Sequence, residues 1–204
     1  MIMDYMKNPV GAIKNFKEKS GTELMQGSLT MIFVASIIFA VNTVIGLMML
    51  EAMPLQITGP EILVSVLEMG TANMAAGVFS VVLLGGLFFG FVTKVVMNVL
   101  GGDGEYWSGL ATVSCPALSV SIGVLLAMVF SHVPTLGPVL AFLFVAVFLA
   151  LGYASMFRLA KDMFDVGMIE AFVGVMVILA VGLVAIYGGL LTTPEGIMAV
   201  LPAP

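Results

Sequence analysis

The chain has 204 residues, 61% of them hydrophobic and 9% charged, with a mean hydropathy of +1.19; a soluble domain carries about 25% charged residues, so composition argues against a water-soluble fold. The net charge is −5, and seven Lys and Arg in all leave no cluster for phosphates, which argues against nucleic acid as a partner. A single Cys, Cys115, rules out an intrachain disulfide framework, and with a single His the sequence predicts no catalytic residue, no metal and no cofactor.

Residues 1–23 form a basic segment with Lys7, Lys14, Lys17 and Lys19. From Pro9 to Lys19, Val10, Ile13 and Phe16 share one side of a helix and the lysines lie elsewhere. That is the pattern of an amphipathic helix on an anionic membrane surface; a solvated tail is the alternative. The segment lacks the continuous apolar core of a secretion signal.

A helix crossing the roughly 30 Å hydrocarbon core takes about 20 apolar residues. Five runs meet this, at about 24–50, 71–99, 109–130, 139–157 and 168–191. The sequence therefore predicts an all-α integral membrane protein, a bundle of five transmembrane helices over residues 24–192, with 193–204 as a tail. With the N-terminus cytoplasmic, all seven Lys and Arg fall on the cytoplasmic side, while Glu51, Glu61, Glu68, His132 and Glu195 fall outside. The positive-inside rule thus predicts N-in and C-out. Between the first two runs, Gly59 and Pro60 open a stretch to Gly70 that reads as a short interfacial helix, with Glu61, Ser65 and Glu68 on its solvated face.

Small residues at helix-packing spacing occur at Ser36 with Ala40 and at Gly86 with Gly90. The Gly86 and Gly90 face is expected to bring backbones close, either between copies in a homo-oligomer or within one chain. Near the end of the second run, Lys94 stands one turn before Asn98. Glu170 lies at a similar depth at the start of the fifth run. Charges at the rim of a span seek a partner or water, so Lys94, Asn98, Glu170 and Arg158 are the candidate lining of a polar cavity on the cytoplasmic side; snorkelling apart into the headgroups is the alternative. The connection to the fifth run pairs Arg158 with Asp162 and Lys161 with Asp165 at i, i+4. Asn42 and Asn73 are expected to hydrogen-bond across to other helices.

The loop from Leu100 to Leu110 is the most distinctive local sequence. Gly101, Gly102 and Gly104 around Asp103 predict a tight turn, and Tyr106 with Trp107 suits the headgroup level. Without a following Lys or a preceding strand it is not a phosphate-binding loop. Pro116 interrupts the third run, frees the Thr112 carbonyl and predicts a kink there, with Ser114 near enough to help satisfy the backbone. Cys115 beside it reads as a small hydrophobe.

These motifs resemble the Ypt-interacting protein (Yip-one domain) family in its prokaryotic form. The resemblance runs over residues 5 to 190. It is carried by Asn8 and Pro9 followed by Phe16 and lysines, by Gly101, Gly102, Gly104 and Tyr106, by Ser114, Cys115 and Pro116, and by the stretch from Tyr153 to Glu170. Thr112 and Val113 stand where the family often has an aromatic residue. The resemblance implies five spans with the N-terminus inside the cell membrane of a prokaryote, and a non-enzymatic role in membrane organisation or in binding membrane or cytoplasmic proteins. Eukaryotic members work with Rab GTPases through long cytosolic N-terminal regions; with 23 residues before the first span, GTPase binding is not expected here. The competing expectation, from Lys94, Glu170 and the Pro116 kink, is a transporter or channel for small solutes, ions or lipids.

Overall fold

A computed structural model of the chain describes Phe16, Lys19, residues 21–52 and residues 70–191. The rest of the N-terminal segment, the interfacial helix expected between Gly59 and Gly70, and the tail lie outside the described residues. The described elements are five helices: α1 (Gly21–Ala52), α2 (Thr71–Val99), α3 (Tyr106–Phe130), α4 (Gly137–Phe164) and α5 (Met168–Leu191). All five are long and apolar enough to cross a membrane. The protein is an all-helical, multi-pass membrane protein.

Both ends of α1 and the starts of α3 and α4 lie two or three residues outside the hydropathy boundaries, and the end of α4 lies seven beyond. α3 begins at Tyr106, with Glu105 in extended conformation as its N-cap. α4 continues past the apolar run to Phe164, so Arg158, Lys161 and Asp162 belong to a helix and not to a loop. The charged turns propagate because Arg158 pairs with Asp162 at 3.5 Å. The helix stops at Asp165, a left-handed residue with φ 54 whose N–H reaches the Lys161 carbonyl. At its other end α4 starts with Pro138 in the first turn, where the missing N–H costs nothing.

α3 is the hub, packed against α4, α1 and α2, and α5 rests on α2 and α4. The buried residues of α3 are mostly small: Ser108, Gly109, Ala111, Thr112, Ser114, Cys115, Ser119, Ser121, Gly123 and Ala127. In lipid there is little hydrophobic gain from hiding Leu or Phe, so close approach of backbones decides the packing, and small residues permit it. The large residues turn outward instead: Val81, Phe142, Val184 and Ile169 are each 71% exposed or more. One buried cluster joins Phe16, Leu24 and Met31 to Cys115, Leu118 and Leu159; a second joins Met97 to Met156, Phe164, Val166 and Val175. Phe16, expected on a membrane-facing side, is instead 1% exposed and held by protein.

The glycines fix where helices cross. A Cβ on Gly109 would collide with the carbonyl oxygen of Gly90, and one on Gly90 would lie 3.0 Å from the Leu110 Cα. Gly86 receives the Ile32 side chain of α1. The Gly86 and Gly90 face therefore packs on α1 and α3 of the same chain, the second of the two placements that its spacing left open. Gly77 and Gly85, also on α2, meet nothing within 4 Å.

Most buried hydroxyls bond within their own helix: Ser36 donates to the Ile32 carbonyl (2.7 Å), Thr112 to Ser108 (2.9 Å) and Ser121 to Leu118 (2.9 Å). Asn42 crosses to α3, where its Nδ2 donates to the Ser121 carbonyl at 3.2 Å, and Tyr106 crosses to α2, donating to the Leu87 carbonyl at 3.1 Å. α3 runs on through Pro116 as continuous helix. Ser114, expected near the freed Thr112 carbonyl, donates to the Ala111 carbonyl at 3.4 Å.

Candidate functional site

At the basic end of the bundle the 100–105 loop folds onto the end of α4. Gly101 has φ 94, a left-handed value that favours glycine, and the N–H of Gly102 returns to the Met97 carbonyl at 3.0 Å, closing α2. Asn98 then holds the loop with both ends of its amide. Its Nδ2 donates to the Gly104 carbonyl (3.4 Å) and its Oδ1 accepts from the Gly104 N–H (3.3 Å). The Asp103 N–H reaches across to the Phe164 carbonyl at 3.0 Å. Gly104 lies against the Phe164 ring with no room for a Cβ. The expected turn of Gly101, Gly102, Gly104 and Tyr106 is thus a fastening between the two connections at this end of the bundle. Tyr106 meets Trp107 edge-on, with centroids 4.9 Å apart.

Of the four residues expected to line a polar cavity, three have separate engagements among the described residues. Asn98 is engaged with Gly104, and Arg158 with Asp162. Glu170 is exposed, and its carboxylate occupies the space over Gly167 at the start of α5. There a helix N-terminus favours a negative charge. Lys94 is half-buried and forms no ion pair with Glu170. Lys94→Met and Glu170→Gln should therefore act additively, with a coupling below about 0.5 kcal/mol in a double-mutant cycle of detergent unfolding. A larger coupling would show that the two charges meet in the membrane.

A different polar recess lies nearby, about 260 Å³ in volume and lined by Phe16, Lys19, Gly21, Leu24, Glu105, Ser108 and Met163. Glu105 caps α3, and its Oε2 comes within 3.7 Å of where a Gly21 Cβ would stand at the start of α1. At the N-cap position its charge lies at the positive end of the α3 dipole, without a side-chain hydrogen bond to the helix. The sequence marks Glu105 only as part of a turn, because α1 and α3 meet there through tertiary packing.

The larger opening is apolar. A crevice of about 550 Å³ lies among all five helices, lined by Phe39 of α1, Phe89 of α2, Val113, Pro116, Ala117 and Val120 of α3, Met156 of α4, and Ile178, Leu179, Gly182 and Leu183 of α5. At 1.5 Å per residue, the α3 residues lie roughly 10 to 21 Å along the helix from Tyr106, about midway along the span. Of the expected site residues only Pro116 contributes. The others are ordinary span residues with no sequence signal of their own.

Cys115 is buried with its Sγ 3.4 Å from the Met31 Sδ, a small side chain in a soft, dry contact. Ser28 Oγ, Asn42 Oδ1 and Thr93 Oγ1 are buried without a hydrogen-bond partner. Among the described residues no group of three or more His, Cys, Asp or Glu could hold a metal ion. No protein-family model, curated protein or solved structure matches the chain.

Proposed function

We propose that the chain is a non-enzymatic membrane protein of the Yip-one type that acts in membrane organisation, binding membrane or cytoplasmic protein partners from the cell membrane of a prokaryote. The observation that carries this reading is the character of the bundle interior. The larger of the two openings described above is apolar, while Asn98, Arg158 and Glu170 are engaged apart from one another. Ion and solute pathways gather intramembrane ionisable residues around water, whereas Asn98 serves a loop, Arg158 a surface pair and Glu170 a helix end. The resemblance in the Gly101 to Tyr106 loop and in Ser114, Cys115 and Pro116 supports the same reading. Orientation with the lysine-bearing end inside follows from the charge distribution.

The experiment is reconstitution of the purified protein into liposomes and measurement of ion and small-solute flux. Flux no higher than that of protein-free liposomes is the expected result. Robust flux abolished by Lys94→Met would overturn the proposal in favour of a transporter or channel.

A further inference from the structure

We propose that the crevice beside Pro116 is a binding site for one acyl chain of a bilayer phospholipid. This inference rests on the bundle spanning a membrane and not on the Yip-type reading.

The volume, about 550 Å³, falls within the range of roughly 300 to 1,000 Å³ typical of ligand sites. An apolar cavity of about 150 Å³ already holds a benzene ring, so a chain segment has ample room here. Emptiness would deprive Phe89, Val113 and Val120 of dispersion partners on one side. Water is a poor filler, because it needs about two to four polar partners, and the walls are apolar side chains with Pro116 among them.

Depth selects the occupant. The α5 residues of the wall, Ile178 to Leu183, lie roughly 15 to 22 Å along the helix from Met168, so the crevice sits among acyl chains and not among headgroups. Nothing in the lining can bind a carboxylate or phosphate, so the occupant enters by its chain and leaves its polar end at the interface. The geometry of α5 creates the space. This helix rests on α2 and α4, and across the gap it faces α3, where Pro116 cannot donate a backbone hydrogen bond. Gly182 keeps the wall low, its Cβ position 3.6 Å from the Phe89 ring.

The test uses the full chain in lipid nanodiscs of phosphatidylcholine doped with a phosphatidylcholine carrying a diazirine midway along one acyl chain. After photolysis, adducts are mapped by peptide mass spectrometry. Adducts at Val113, Ala117 and Val120 comparable to those at outward-facing Val81 and Phe142 are expected, with none at Leu118, which is 1% exposed. Ala117→Trp or Gly182→Phe should remove the adducts from the α3 residues and leave those at Val81 and Phe142 unchanged. Labelling of Val113, Ala117 and Val120 no higher than that of Leu118 in the unmodified protein would overturn the proposal, whether or not the filled variants fold. So would undiminished labelling in a filled variant that folds.

Discussion

Gly109→Ala should be the most damaging single-methyl change at the crossing of α2 and α3, costing about 3 kcal/mol, the upper range for overpacking a well-packed site. The added Cβ would meet the Gly90 carbonyl oxygen, a backbone atom that cannot rotate away, so α2 and α3 would have to separate along their crossing. Gly90→Ala faces the Leu110 Cα at 3.0 Å and should cost somewhat less. Gly86→Ala meets the tip of Ile32, a side chain that can change rotamer, and should cost about 1 kcal/mol. Gly77→Ala and Gly85→Ala enter open space and should stabilise the helix by about 0.5 to 1 kcal/mol through lower backbone entropy in the unfolded chain. Five variants of one chemistry on two helices thus carry a predicted order and a change of sign. Denaturation of the detergent-solubilised protein by increasing SDS measures it. Equal losses at Gly77 and Gly109 would mean that the crossing is not where the structure puts it.

The same comparison explains what the sequence could reveal. Lengths and composition set the five helices, because the thickness of a bilayer demands about 20 apolar residues regardless of packing. α2 and α5 end where the runs end. α4 does not, because its last turns are stabilised by charged pairs such as Arg158 with Asp162, which hydropathy counts as loop. The site was far less legible. Lys94 and Glu170 share a depth, but depth fixes a level in the membrane and leaves the direction around each helix open. The acyl crevice is invisible for a related reason. In water an inward face differs from an outward face in polarity, whereas in lipid both are apolar, so Ala117, Val120 and Gly182 look like any lipid-facing residues until five helices are placed together. Close approach is the exception, since only small residues permit it. Gly86 and Gly90 could be recognised as packing positions, although not which helices they would meet.

Phe164→Ala should cost about 3 to 5 kcal/mol, the usual penalty for emptying a buried aromatic site. Phe164 ends α4 with 0% exposure, packed with Met97, Val166 and Val175, and its carbonyl accepts from the Asp103 N–H at 3.0 Å. Its ring also bounds Gly104 so closely that Gly104→Ala should be destabilising by itself, by about 1 to 3 kcal/mol. The two losses share one cause. Once the ring is gone, the methyl at 104 has a space to enter, so the double variant should be more stable than the sum of the singles implies, by about 1 kcal/mol or more. Asn98 supplies the control. Asn98→Ala removes both hydrogen bonds to Gly104 but leaves the ring in place, so it should loosen the loop without relieving the clash. Combined with Gly104→Ala, it should therefore show no recovery of the kind that Phe164→Ala gives. Strict additivity of Gly104→Ala with Phe164→Ala in SDS unfolding would mean that the ring does not lie over the loop, and that the two connections at the basic end of the bundle are fastened only by the bond from Asp103.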